Sequence, residues 1–123
     1  MKIMIIDDSK TARMMLKKAL PESMLEGADI VMCENGQEGL DAYKEGRPDV
    51  VFLDLTMPVM DGYAFLENIK PIDPDAVVIV VSADIQQSAK ERVLALGAKV
   101  MVRKPVNPAT LKALLDDYVQ KDA

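Results

Sequence analysis

The sequence contains no histidine. That removes the commonest general base, and with it Ser-His-Asp and Cys-His catalysis and histidine-ligated metals. Oxygen ligands remain, and these suit Mg2+ or Ca2+. One cysteine, Cys33, allows no internal disulfide, which fits a reducing cytoplasm. No apolar run approaches the ~20 residues of a membrane span, so no membrane insertion is expected. The opening MKIMIIDD stops at two acids and reads as a first strand, not a signal peptide. A basic excess is also missing: 15 Lys and Arg stand against 20 Asp and Glu, a formal charge of -5. A nucleic-acid-binding domain would carry a basic patch, so no nucleic-acid partner is expected. Low-complexity segments, linkers and repeats are absent.

What is there is a compact pattern. The chain has 123 residues, half of them hydrophobic and 28% charged, which supports one core and one domain over 1–123. Short runs rich in Val and Ile read as strands: KIMII (Lys2–Ile6), DIVMC (Asp29–Cys33), DVVFL (Asp49–Leu53), AVVIVVS (Ala76–Ser82) and KVMVR (Lys99–Arg103). Amphipathic stretches lie between them. The first follows Ser9, with Ala12, Met15, Leu16 and Ala19 on one face, and stops before Pro21. The second starts at the N-cap Asn35, with Glu38 as capping-box partner, and ends near Gly46 and Pro48. A third runs from about Gly62, with Leu66 and Ile69 inward, and breaks at Pro71. A fourth spans about Ile85 to Leu96 and closes at Gly97. The last is capped by Asn107, with Pro108 at its first position and an apolar stripe of Leu111, Leu114, Leu115 and Tyr118.

Strand alternating with helix predicts an α/β fold: a doubly wound, flavodoxin-like, five-stranded parallel sheet with helices on both faces. The first, third and fourth runs are continuously apolar, as strands buried on both faces should be. The second and fifth carry charges and fit the edges. With right-handed crossovers the order is 2-1-3-4-5.

Four of the runs end in polar residues: Asp7-Asp8, Asp54, Ser82 and Lys104. In a parallel sheet these ends share one edge, and the first and third strands flank the switch point where such sheets place ligands. Three acids held together repel and raise one another's pKa, and a divalent cation relieves this. Mg2+, which keeps waters and joins carboxylates to phosphate, suits such a site. Lys104 adds a positive charge and Ser82 a hydroxyl. These parts fit the stabilisation of a phosphoryl group beside a nucleophilic carboxylate, and Asp54 stands alone at its strand end for that role. Taken singly, each has an ordinary explanation. Asp7-Asp8 can be a turn and helix cap, Ser82 a hydroxyl satisfying nearby backbone, Lys104 a solvated lysine and Asp54 a loop-starting acid. Their convergence on one edge is what favours a site.

The motifs IIDDS (Ile5–Ser9), FLDLTMPVMDG (Phe52–Gly62), VVSA (Val80–Ala83) and RKPV (Arg103–Val106), each closing a strand, carry a resemblance. Over essentially its whole length the chain resembles the response-regulator receiver domain of two-component signalling, most of all the stand-alone chemotaxis type. The resemblance implies that Asp54 accepts a phosphoryl group from a phosphohistidine on a sensor histidine kinase or histidine phosphotransfer protein. It implies Mg2+ bound by Asp8, Asp54 and the backbone carbonyl of Thr56, with Asp7 assisting. Ser82 would contact the phosphoryl oxygen, Lys104 would pair with it, and the bond before Pro105 would be cis. Thr56 and Asp84 would tune hydrolysis. Such a protein is not an enzyme in the ordinary sense, but a phospho-acceptor that assists its own phosphorylation and dephosphorylation.

One departure stands out: Met101 occupies the fifth-strand position where receivers usually carry Tyr or Phe. With no output domain expected, a cytoplasmic protein of this kind would act by binding a downstream protein, such as the flagellar motor or another signalling protein. The face of the fourth helix, fifth strand and fifth helix would do so, with Ile85, Gln86, Lys90, Met101 and Val106 as candidates. A phosphorelay intermediate is the near alternative. A phosphatase of haloacid-dehalogenase type needs a second Asp two residues after the first, and neither Asp54-Leu55-Thr56 nor Asp7-Asp8-Ser9 supplies it. A flavin module would want a hydroxyl- and glycine-rich loop where DDSKTAR places two anions.

Overall fold

A computed structural model of the chain describes residues 1–83 and 85–119. Strands β1 (Lys2–Ile6), β2 (Asp29–Cys33), β3 (Val50–Leu53), β4 (Val78–Ser82) and β5 (Val100–Arg103) form one parallel sheet in the order β2-β1-β3-β4-β5. The topology and both edge strands are those expected from the apolar runs. Three runs begin one or two residues inside their expected start, at Val50, Val78 and Val100, although the Asp49 amide still donates to the Lys2 carbonyl and the Lys99 amide to the Val78 carbonyl.

The helices are α1 (Lys10–Ala19), the short α2 (Glu22–Leu25), α3 (Gly36–Glu45), α4 (Gly62–Ile72), α5 (Gln87–Ala95) and α6 (Pro108–Tyr118). Strand side chains alternate between faces, and here both faces are dry. Ile3, Ile5, Phe52, Ile79 and Val81 pack with Leu16 of α1 and Leu111, Leu114 and Leu115 of α6. Met4, Ile6, Val51, Leu53 and Val80 pack with Leu40 and Tyr43 of α3, Phe65 and Ile69 of α4 and Val93 of α5. The Tyr43 hydroxyl donates to Asp73 Oδ2 at 2.6 Å and ties α3 to the end of α4. Burial and that bond push the Tyr43 phenol above its ordinary pKa.

The caps follow the sequence. Ser9, Asn35, Asp61 and Asn107 each accept an amide three residues on. Glu38 reaches back one residue further than a capping box requires, to the amide of Glu34.

Four expectations are corrected. Met15 is not on the inner face of α1: it is 54% exposed, and the buried residues are Arg13, Leu16 and Leu20. Spacings of three and four define that stripe, and it starts on a cation, which an apolar pattern passes over. Pro71 does not break α4, which continues to Ile72. The proline sits in the last turn, and the carbonyl it leaves without an N–H partner is that of exposed Glu67, within reach of solvent. Met101 is buried, paired with Val80, and belongs to the core rather than to the outer surface of β5. Helix α5 also begins at Gln87, leaving Ile85 and Gln86 outside it. Asp84 and residues 120–123 lie outside the described residues.

Candidate functional site

The site is assembled by register. Ile6 of β1 lies beside Leu53 of β3, so Asp7 and Asp54 leave the sheet side by side. The amide of Asp54 donates to the Ile6 carbonyl at 2.9 Å, extending the ladder by one step. The amide of Asp7 does the same to Cys33 at 3.0 Å. On the other side β4 and β5 pair up to Ser82 and Arg103, and the Lys104 amide donates to the Ser82 carbonyl at 3.0 Å. The bond between Lys104 and Pro105 is cis.

The acids and the lysine meet. Lys104 Nζ lies 2.7 Å from Asp7 Oδ2 and 3.3 Å from Asp54 Oδ1. Carboxylate oxygens of Asp7, Asp8 and Asp54 all lie within 4.8 Å of one another. Asp7, Asp54 and Ser82 are buried, whereas Asp8 is exposed. Asp7 is held from a second side as well, since its Oδ1 accepts the Ser9 amide at 2.9 Å. Thr56, two residues beyond Asp54, is exposed on the following loop.

Burial pushes the Asp54 pKa up, and the Asp7 charge pushes it further, with Lys104 opposing both. For Lys104, burial alone would lower the pKa. The hydrogen bond to Asp7 and the charges of Asp54 and Asp7 outweigh it, and the net direction is upward. A mostly apolar cavity of about 350 Å³ adjoins the cluster, lined by Leu16, Phe52 and Val106 beside Asp7, Asp54 and Lys104. Its walls lower the polarity around Asp54. The donor set is all hard oxygen, which fits a cation of the Mg2+ or Ca2+ class.

The loop after Asp54 is shaped by tight backbone contacts. Gly62 donates its amide to the Leu55 carbonyl at 3.0 Å. A Cβ at Gly62 would lie 2.4 Å from the Asp54 carbonyl oxygen and 2.9 Å from Leu55 Cα, so no side chain fits there. The Gly36 amide at the start of α3 donates to the Met60 carbonyl at 2.9 Å. Between these anchors Val59 holds a left-handed φ of 68° and is 82% exposed. Cys33, beside the cluster in β2, has its thiol pushed up to about 11, first by burial. That direction favours the thiol over the nucleophilic thiolate.

Every residue expected at the strand ends is brought to this edge. Arg13 was not among them. It is 8% exposed, and its Nη1 donates to the Asp7 carbonyl oxygen at 2.6 Å. Its place three residues before Leu16 and seven before Leu20 was the available signal.

Comparison with known proteins agrees with the geometry. The family model for the response regulator receiver domain matches residues 3–116. The chain is 37% identical over 115 residues to chemotaxis protein CheY of Thermotoga maritima, covering 94% of each chain. It is 41% identical over 104 residues to CheY of Bacillus subtilis, covering 85% of each. It superposes with TM-score 0.86 and 32% identity on a chain of the crystal structure of the CheX–CheY–BeF3–Mg2+ complex from Borrelia burgdorferi, covering 98% of this chain and 90% of that one. With the acid cluster, the lysine and the sheet order already in place, these similarities settle the family: the chain belongs to the response regulator receiver domains, the phosphorylation-switched modules of two-component and chemotaxis signalling.

Proposed function

We propose that Asp54 is the phosphoryl acceptor of this switch, in a Mg2+-dependent transfer from a phosphohistidine on a sensor histidine kinase or histidine phosphotransfer protein. One observation carries it. Asp54 is the acid at the end of the central strand β3, buried, 3.3 Å from Lys104 and sharing an oxygen cluster with Asp7 and Asp8. A carboxylate oxygen of Asp54 attacks phosphorus as the P–N bond to imidazole breaks, and the departing imidazole takes a proton from solvent. Asp7, Asp8, Asp54 and the Thr56 carbonyl would hold Mg2+, which when bound supplies positive charge to the transferring phosphoryl oxygens. Lys104, already paired with Asp54, neutralises one of those oxygens. Ser82 donates to another and registers that the group has arrived.

The protein is a signalling module that assists its own phosphorylation and dephosphorylation. It works in the cytoplasm through partner proteins: a kinase upstream, and downstream a flagellar motor component or another signalling protein. The relative in the CheX–CheY complex illustrates one such association. The output face is formed by α5, β5 and α6, where Ile85 and Lys90 are exposed. Met101, buried behind that face, transmits the change by repacking.

Incubation with Mg2+ and acetyl phosphate tests the acceptor. Mass spectrometry should find one phosphoryl group, labile as an acyl phosphate is, and none on Asp54→Asn. A modified Asp54→Asn chain, or sustained turnover of unrelated phosphate esters, would sink the assignment.

A further inference from the structure

Arg13 is an expensive residue in its place. Arg13 is only 8% exposed, and burying its charge costs several kcal/mol unless its partners compensate. Its ion-pair partner is weak compensation. Nη2 lies 3.8 Å from Glu34 Oε1, and the Glu34 side chain is 69% exposed. Such pairs contribute about 0–1 kcal/mol. The short contact is the other one, from Nη1 to the Asp7 carbonyl oxygen at 2.6 Å, a charge-assisted bond.

That carbonyl belongs to the peptide joining Asp7 to Asp8. The peptide is planar, so fixing its oxygen together with Asp7 fixes where the Cα of Asp8 lies. Asp7 itself is pinned through its amide to Cys33, through Oδ1 to Ser9 and through Oδ2 to Lys104. Asp8 is exposed, and its backbone sets where its carboxylate starts.

We propose that Arg13 is a positioning residue for the acidic cluster: its bond to the Asp7 carbonyl sets the Asp7–Asp8 peptide plane, and so the spacing of carboxylates that a small divalent cation requires. This rests on the reading that the cluster binds Mg2+. It reaches beyond that reading because a simple charge argument points the other way. A buried cation beside a cation site repels the incoming ion, so its removal would tighten binding if charge were all that mattered. Positioning predicts weaker binding. It also predicts selectivity, since Mg2+ demands near-ideal octahedral geometry while Ca2+ accepts a flexible shell.

The test is calorimetric titration of the unphosphorylated full chain with Mg2+ and separately with Ca2+. Arg13→Met keeps the apolar stem and removes the donor; Arg13→Lys keeps a charge and one donor. Arg13→Met should weaken Mg2+ binding by about tenfold and Ca2+ binding by less, lowering the Mg2+/Ca2+ preference. Arg13→Lys should fall between it and wild type. Glu34→Gln should leave both affinities unchanged. A folded Arg13→Met chain that binds Mg2+ as tightly as wild type or tighter overturns the proposal, and so does an equal loss for the two ions. If Arg13→Met does not fold, an unchanged Mg2+/Ca2+ preference in Arg13→Lys overturns it. A wild-type chain that binds no Mg2+ overturns the metal site and this proposal together. Wild-type binding with indifferent variants overturns this proposal alone.

Discussion

Replacing Lys104 by Met should destabilise the metal-free protein by about 3 kcal/mol at pH 7. At 2.7 Å and 3.3 Å, the two attractions it loses are about 6 and 5 kcal/mol at an effective dielectric of about 20. Most of that gain is cancelled in the wild type by the cost of burying the charges. What counts is the pair left behind: Asp7 and Asp54, 6% and 8% exposed, facing each other without a cation. Removing one partner of a buried ion pair costs about 3–5 kcal/mol. The Lys104 side chain is 27% exposed, which favours the lower end. With a urea slope of about 2 kcal/mol/M, the midpoint should fall by roughly 1.5 M in EDTA. The gap should narrow in Mg2+, where an ion replaces the missing charge. It should also narrow as pH falls through the raised Asp54 pKa, because a protonated Asp54 no longer repels Asp7. On the alkaline side, Lys104 has a raised pKa in the fold. Its contribution is complete below its unfolded value of 10.5 and is lost only as pH rises through the folded one. A variant within about 1 kcal/mol of wild type at pH 7 in EDTA would refute the reasoning. A loss that persists undiminished in acid would assign it to packing of the lysine stem instead.

Asp54→Asn should raise metal-free stability at pH 7 by roughly 1 kcal/mol, since sites built for function carry such costs. The sign follows from the raised pKa. The fold disfavours this carboxylate, so the gain is present above the folded pKa and fades in acid, as melting curves across pH would show. Gly62→Ala should cost about 3 kcal/mol or more and weaken Mg2+ binding, because the new Cβ meets the Asp54 carbonyl and Leu55 Cα, which are backbone atoms. Urea titration and calorimetry would measure both. Val59→Asn should stabilise by about 1 kcal/mol in urea titration, since a β-branched residue at a φ of 68° is strained and Asn tolerates that region.

Much of the site was legible because buried strands announce their ends. Asp54 and Ser82 each close an apolar run, and in a parallel sheet every such end falls on one edge. The division of labour between Asp7 and Asp8 was not legible. They are adjacent, and only the fold sends one into the core against Lys104 and leaves the other in water. Arg13 escaped because a charge breaks an apolar stripe on paper, yet in space its guanidinium reaches a backbone oxygen. Pro71 misled for a related reason: the rule against proline assumes a buried or needed hydrogen bond, and in the last turn of α4 neither holds. Helix α2 is four residues long, too short for any periodicity to mark it.

The bond from Gly36 to Met60 has a practical side for anyone who would rewire this switch. The acceptor loop is fastened to the first turn of α3, and a Cβ at Gly36 would come within 2.6 Å of the Met60 carbonyl oxygen. That fastening lies across the sheet from α6. The exposed positions of α6 are therefore clear of that fastening, and new partner specificity is better written there. A graft onto the start of α3 would rewrite the loop that carries Thr56, and a designer should treat that turn as part of the engine rather than as free surface.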